Sequence, residues 1–280
     1  TNIEYLKSIA SSQMFNEVKI STNILNSYDF TLNALEIVTP GAHTSIQDYP
    51  GRNGYWRIGV PPSGPMDSYS FRLANRIVGN SPTAAAIEVT LLGPAIKFHF
   101  DTVIGLAGGS VSCTINDIAI KQYEPVQVHR GDVLNIGKLT TGCRVYLAIR
   151  GELDIPNYLG SKSTFTLGQF GGYNGRVFKP GDILFVKETT SKLTPTSIPS
   201  SIIPVISNNK KWLIGITCGP HGSPDIFTEE SIQEFFDEEW KVHYNSNRFG
   251  VRLTGPKPKW ARNDGGEGGL HPSNTHDYVY

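Results

Sequence analysis

Apolar positions recur along this chain with two different periods. Ile3, Leu6, Ile9, Ala10 and Met14 stand at the spacing of one helix face, which predicts a short amphipathic helix over residues 3–15 with Thr1 or Asn2 as N-cap. The polar residues 21–33 read as a tail or linker, and Leu35, Ile37 and Val38 then start a strand. From there to residue 187, short strands alternate with turn signals: Pro40-Gly41, Pro50-Gly51, Gly93-Pro94, Arg130-Gly131-Asp132 and Pro180-Gly181-Asp182. The last two echo each other. Each leads into an apolar run, Val133-Leu134-Asn135-Ile136 and Ile183-Leu184-Phe185-Val186, and reads as a turn feeding a strand into a closed sheet. The echo is too short for a solenoid repeat.

Helical spacing returns twice. Asp67 can cap a helix with Phe71, Ala74, Ile77 and Val78 on one face, ended by Gly79-Asn80. Thr228 can cap another, with Ile232, Phe235, Phe236 and Trp240 inward and acidic residues outward. Residues 187–204, rich in Thr, Ser and Pro, are the expected linker between a first β-rich subdomain, 34–187, and a second, 205–280.

Composition strengthens the β-rich reading. At 280 residues, 39% of them hydrophobic, the chain can bury the core of one large or two modest domains. Its 29 Gly and 18 Pro demand many turns, so the expected class is mainly β with a few short helices. The 25 basic and 25 acidic residues cancel, leaving no electrostatic footprint for nucleic acid or an anionic membrane. No stretch approaches the roughly 18 apolar residues of a membrane span, and no signal-peptide pattern is present. Cys113, Cys143 and Cys218 are scattered, which argues against a disulfide framework or a thiolate zinc site and for a reducing compartment, the cytosol. The chain opens without Met and stops inside His276-Asp277-Tyr278-Val279-Tyr280, which reads as the start of a strand, so a piece of a longer polypeptide is expected.

Standard catalytic signatures are missing. Gly108-Gly109-Ser110 lacks the closing Gly of a nucleophile elbow, and there is no phosphate loop or dinucleotide fingerprint. His271 and His276 beside Asp277 lack further clustered ligands, so no metal is expected. Neither Met14 nor Met66 has a neighbouring Lys, so a biotin attachment site is absent as well.

Three segments carry candidate chemistry instead. Gly59-Val60-Pro61-Pro62-Ser63-Gly64-Pro65-Met66-Asp67 fixes an unusual backbone before a helix N-terminus, where N–H groups can hold an anion or a polar carbonyl; a rigid strand-to-helix turn would look the same. Gly168-Gln169-Phe170-Gly171-Gly172-Tyr173-Asn174-Gly175-Arg176 allows close backbone approach, and Arg176 can bind a carboxylate. Residues 262–271 set Arg262, Asn263, Asp264, Glu267 and His271 among four glycines. A mere linker has little use for so many polar groups within ten residues, and these supply hydrogen bonds and acid/base capacity.

From Leu35 onward the chain resembles the allophanate hydrolase subunit 2 family, the carboxyltransferase A/B region. The resemblance rests on Ser45-Ile46-Gln47-Asp48, Gly51-Arg52, the loop at 60–67, Ala74-Asn75-Arg76-Ile77-Val78-Gly79-Asn80, Glu88-Val89-Thr90 with Gly93-Pro94, Phe170-Gly171-Gly172-Tyr173-Asn174-Gly175-Arg176, Gly219-Pro220, Gly255-Pro256 and residues 262–274, in that order. Thr1-Asn2-Ile3 with Leu6, Ile9, Phe15 and Thr22 resembles the tail of a biotin carboxylase domain, here residues 1–33. That junction is similar to the layout of urea carboxylases, including fungal urea amidolyases, whereas relatives without it resemble subunits of ATP-dependent 5-oxoprolinases.

The resemblance implies a fold with cyclophilin-like β-barrels. It implies biotin carried on a separate domain, carboxylated with ATP and Mg at a biotin carboxylase domain, and carboxyl transfer to urea here to form allophanate. It also implies a second carboxyltransferase half that completes the site. On side-chain chemistry, Glu267 or Asp264 would hold the urea NH₂ groups and act as base. Asn263 and His271 would orient the urea carbonyl or the carboxybiotin carboxylate, and Arg262 would neutralise negative charge. Ser63, Gly64, Met66 and Arg176 are the further substrate-binding candidates.

Overall fold

The computed structural model describes residues 2–17, 23, 25, 28, 30, 32–189, 191–208, 213–219, 222–248 and 250–262. Two compact units, Thr1–Lys210 and Lys211–Tyr280, divide the chain.

The first unit begins with α1 (Asn2–Ser11) and α2 (Gln13–Asn16). The single helix expected over 3–15 is split at Ser12. Its hydroxyl donates to the Ile9 carbonyl at 2.7 Å and also accepts the Phe15 N–H, closing one helix and capping the next. Thr1 and the Asn2 side chain, the expected caps, lie outside the described residues.

Twelve strands follow: β1 (Ala34–Thr39), β2 (His43–Gln47), β3 (Ala86–Thr90), β4 (Ala95–Phe98), β5 (Thr102–Gly108), β6 (Val111–Ile115), β7 (Ile118–Ile120), β8 (Val126–Val128), β9 (Val133–Leu139), β10 (Arg144–Ile149), β11 (Glu152–Leu153) and β12 (Ile183–Lys187). They form a seven-stranded sheet, β11-β12-β1-β4-β9-β6-β7, and a five-stranded sheet, β2-β3-β10-β5-β8. The expected mainly β class is what the chain adopts. The expected closed barrel is not, because each ladder ends in two edge strands and neither sheet returns on itself. The sheets share one core instead, with Leu35, Ile37 and Phe98 from one and Ile87, Leu106 and Val145 from the other fully buried.

The five-stranded sheet is covered on both faces. Along β10, Val145, Leu147 and Ile149 enter the shared core, while Tyr146 and Ala148 face α3 (Ser68–Ile77). This two-residue alternation with both faces apolar explains why β10 reads as an almost continuous hydrophobic run. Asp67 caps α3 as expected, accepting the Ser70 N–H at 2.9 Å, and Phe71, Ala74, Ile77 and Val78 are its buried face. Small residues let the helix sit close. A Cβ at Gly105 on β5 would stand 2.6 Å from the Ile77 side chain. Gly105→Ala is therefore expected to destabilise the unit by about 1–3 kcal/mol through overpacking, read as a lower midpoint in guanidinium denaturation; an unchanged midpoint would show that α3 can retreat freely.

The echoed turns are the same device used twice. The N–H of Gly131 donates to Phe98 O and that of Gly181 to Ile37 O, both at 2.8 Å. The carboxylates of Asp132 and Asp182 each accept the backbone N–H three residues earlier, at His129 (2.8 Å) and Lys179 (2.7 Å). Residues 187–204, where a linker is expected, are tied to this unit: Thr196 N–H donates to Ile77 O and Ile198 N–H to Tyr123 O, both at 2.9 Å, and the Ile198 side chain is buried against α3.

In the second unit, Thr228 caps α4 (Glu229–Asp237) as expected, and β13 (Lys241–Val242) pairs with β14 (Leu253–Thr254). The inward aromatic face expected for α4 is only half realised. Phe236 is 62% exposed and Phe235 37%; with Phe227, Ile232, Trp240 and Leu253 they line an open apolar groove of about 460 Å³ rather than a closed core. No helix among the described residues is long and apolar enough to cross a membrane.

Candidate functional site

On the outer face of the five-stranded sheet, beyond the end of α3, the strand register lines up polar side chains. Ser45 stands opposite Glu88 and Glu88 opposite Tyr146, while Thr90 is opposite Arg144 in the next row. The Glu88 side chain is 2% exposed and accepts from Tyr146 Oη at 3.0 Å and from the Met66 N–H at 2.9 Å. Arg144 Nε lies 3.6 Å from the other carboxylate oxygen. Tyr146 Oη in turn accepts the Asp67 N–H at 2.8 Å. Burial, reinforced by the facing Glu88 carboxylate, pushes the Tyr146 phenol far above its ordinary pKa, so it remains a donor.

These contacts bind residues 60–67 to the sheet. The N–H groups expected to hold an external anion at this helix start are met at Met66 by Glu88, at Asp67 by Tyr146 and at Ser70 by Asp67 itself. Ser63 takes a left-handed φ of 56° and Gly64 one of 80°. The Ser63 hydroxyl oxygen is shielded from solvent and has no partner among the described residues. Met66 projects outward, 50% exposed.

Arg52 joins this loop to the glycine-rich one. Its side chain is among the largest that are fully buried, yet it is cationic. Nε donates to Tyr158 O at 3.1 Å, Nη2 to Ser163 O at 2.8 Å, and the guanidinium lies 4.9 Å from the Phe170 ring centre. The Arg52 N–H donates to Pro62 O at 2.6 Å. Burial lowers the Arg52 pKa, opposed by the nearby Asp48 carboxylate. Asp48 itself accepts from Ser161 and Ser163 hydroxyls at 2.5 Å and from the Lys162 N–H at 2.8 Å. Gly171, at φ 68°, passes so near that a Cβ there would stand 2.1 Å from Ser163 O and 2.5 Å from Arg52 Nη2. Three of the motifs quoted above, at 45–52, 60–67 and 170–176, thus meet around one buried cation.

Arg176 is differently employed. It forms a two-pronged pair with Asp182, Nη1 to Oδ2 and Nη2 to Oδ1 at 2.7 Å each, and lies over Tyr173. Burial pushes the Asp182 carboxyl up, but the hydrogen bonds from Arg176 and the Lys179 N–H outweigh it and hold the group below its ordinary value. With a depressed folded pKa, this stabilisation is in place above about pH 4, where the unfolded carboxyl is ionised, and is lost as pH falls through the lower folded value. Asp182→Asn is therefore expected to flatten the decline of stability as pH falls below about 4. Denaturation midpoints against pH check this, and an identical slope in the variant contradicts it.

In the second unit, Phe227 stacks on Trp260 at 4.9 Å, and the N–H of Ala261 donates to Ile226 O at 2.9 Å. This anchors Arg262, which is half-buried and gives its Nε to Asp225 O at 3.3 Å. Asn263, Asp264, Glu267 and His271 lie outside the described residues, as does the His271/His276 pair. Among the described residues, no group of three or more His, Cys, Asp or Glu stands together as a metal site would require.

A family model described as "Carboxyltransferase domain, subdomain A and B" matches residues 58–280. The chain belongs to this carboxyltransferase family. Among its relatives, the carboxyltransferase chain is 67% identical over its whole length to the urea amidolyase of Saccharomyces cerevisiae, covering 16% of that protein. It superposes in full on the crystal structure of the Kluyveromyces lactis urea carboxylase with a TM-score of 0.92 and 62% identity, covering 25% of that chain. A 5-oxoprolinase subunit of Escherichia coli is 29% identical over 79% of this chain and is covered to 68%. The chain therefore spans about a sixth of the length of the urea amidolyase it matches.

The family assignment gives the buried cluster its context. Asp48, Arg52, Glu88 and Tyr146 were assigned no role from sequence. Asp48, Arg52 and Glu88 did stand within family-like motifs; Tyr146 is one apolar-looking residue of a buried strand and carried no signal at all.

Proposed function

We propose that this carboxyltransferase chain forms one wall of the site where a biotin-dependent urea carboxylase moves a carboxyl group from carboxybiotin to urea. The observation that carries this reading is likeness over the entire chain to a urea amidolyase and a urea carboxylase, at 67% and 62% identity, against 29% over four-fifths of it to a 5-oxoprolinase subunit. Biotin arrives on a carrier domain, already carboxylated with ATP and Mg at a biotin carboxylase domain. A second carboxyltransferase half completes the site. The enzyme works in the cytosol.

The step balances without a further reactant. A urea nitrogen forms the new N–C bond, the bond from the carboxyl carbon to the biotin ureido nitrogen breaks, and one proton passes from the urea nitrogen to the biotin nitrogen. Allophanate and biotin result. The urea lone pair is delocalised, so proton removal must accompany bond formation, and negative charge grows on the biotin ureido oxygen as the carboxyl departs.

Glu267 or Asp264 holds the urea NH₂ groups and acts as the base. Asn263 and His271 orient the urea carbonyl or the carboxybiotin carboxylate. Arg262, whose Nε donates to Asp225 O, fits the anionic partner as the cation that neutralises negative charge. Ser63, Gly64 and Met66 keep their place as substrate-binding candidates. Arg176 keeps its place in the proposal as a more distant carboxylate-binding candidate, although Asp182 takes both of its Nη groups.

ATP turnover by the full-length enzyme, measured with urea and then with 5-oxoproline, tests the reading. Stimulation by urea alone is expected. Stimulation by 5-oxoproline in place of urea contradicts it.

A further inference from the structure

A cleft of about 450 Å³ opens in the first unit between residues 154–158 and the glycine-rich loop at 169–175. None of the residues assigned to carboxyl transfer lines it. Both walls are fixed from behind. On one side the Asp154 N–H donates to Phe185 O on β12 at 2.8 Å. On the other, the Gly172 N–H donates to Lys162 O at 3.1 Å and the Gly175 N–H to Gly171 O at 2.8 Å, while a Cβ on Gly172 would collide with Thr164 Oγ1. The loop is therefore pinned against residues 162–164, and the cleft is in place before anything enters it, which lowers the cost of binding.

The lining defines what fits. Tyr158, 47% exposed, and Phe170 line the cleft with their ring centres 5.0 Å apart, a surface suited to a flat ring. The charges around it are already matched. Asp154 pairs with Lys187 at 2.6 Å, Arg176 with Asp182 at 2.7 Å, and Arg52, buried against both rings, is offset by the nearby Asp48. A neutral ligand is favoured accordingly. Gln169 and Asn174 also line the cleft, at left-handed φ values of 56° and 54°. Asn takes that conformation readily and Gln seldom does, while glycine meets it at no steric cost. Two carboxamides thus stand where glycine would fold at least as well, and backbone strain of this kind gathers at functional sites. Both side chains are exposed, and neither amide has a partner among the described residues. Each offers a carbonyl acceptor and an NH₂ donor, the complement of an amide edge.

We propose that this cleft is a binding site for a neutral flat ring with a cyclic amide or urea edge, laid against Tyr158 and Phe170 and held at that edge by the carboxamides of Gln169 and Asn174. A free metabolite and the ureido ring of carrier-borne biotin share this chemistry.

Titration of the full-length enzyme with 2-imidazolidinone, a cyclic urea, followed by saturation-transfer NMR, tests the site. Saturable binding is expected. Cyclopentanone, which lacks the N–H groups, and 5-oxoproline, an anion at neutral pH, are expected to bind about tenfold more weakly or less, the effect of losing one hydrogen bond of average worth. Gln169→Gly and Asn174→Gly each remove a carboxamide and relieve a left-handed φ together, so folding is not at risk. Each is expected to weaken probe binding about tenfold while the guanidinium midpoint stays equal or rises. Enzyme whose carrier is left without biotin separates the two sources: tighter probe binding there identifies the tethered ring as the occupant, and equal binding identifies a free molecule. No saturable binding, equally tight binding of 5-oxoproline, or wild-type affinity in either variant overturns the proposal. Binding is read without turnover, so a wild-type enzyme that fails to respond to urea overturns the transfer reading and leaves this site standing.

Discussion

Replacing Glu267 by Gln in the full-length enzyme is expected to lower kcat for urea-dependent turnover by about 10²–10⁴-fold, the usual contribution of a positioned base. Gln preserves the shape of the side chain and its ability to accept a hydrogen bond, so urea is still bound, but the proton on the attacking nitrogen has nowhere to go. KM should therefore change much less than kcat, because the lost interaction belongs to the transition state. Steady-state kinetics on a variant with normal circular dichroism checks this. Near wild-type turnover removes Glu267 from the base role and leaves Asp264, three residues earlier in the same glycine-rich stretch, as the proposed base.

The second large effect is structural and reaches the site indirectly. Arg52→Met is expected to destabilise the first unit by about 3–5 kcal/mol, the range found when one partner of a buried charged network is removed. The carbonyls of Tyr158 and Ser163 would lose their donors, the Asp48 carboxylate its nearby cation, and Phe170 its stacked guanidinium. Native domains hold only about 5–15 kcal/mol in reserve, so a loss of this size is readily seen. Arg52→Lys is expected to rescue little of it, because an ammonium cannot reproduce two divergent N–H bonds and a planar stack. Guanidinium melts, with limited proteolysis of residues 158–176, measure both variants. A stable Arg52→Met protein with protected loops would mean that the three motifs are held together by something other than Arg52.

What the sequence discloses depends on how local the cause is. Asp67 before Phe71, Ala74 and Ile77 is a capped amphipathic helix within a dozen residues, and it forms as read. The turns at Gly131 and Gly181 carry their whole logic, a left-handed glycine and an Asp reaching three residues back, in four positions each. Ser12 escaped notice because its hydroxyl competes with the helix only once the backbone around it is placed. Arg176 looked available because nothing in its own segment announces that Asp182 will fold back onto it. Glu88 and Tyr146, 58 residues apart, become neighbours only through the register of β3 on β10. The exposure of Phe236 is likewise a matter of packing, which helical spacing cannot specify. The family-like motifs were legible as words in order; the buried cation that joins three of them was not.

Transfer of the carboxyl group itself is the most direct test of the whole account. The full-length enzyme can be loaded with labelled bicarbonate and ATP, freed of nucleotide, and then given urea. Label is expected to leave protein-bound carboxybiotin and appear in allophanate in one turnover, and Glu267→Gln should keep it on the protein. Label that ignores urea, or that leaves only when 5-oxoproline is added, would contradict the assignment of this chain to urea carboxylation.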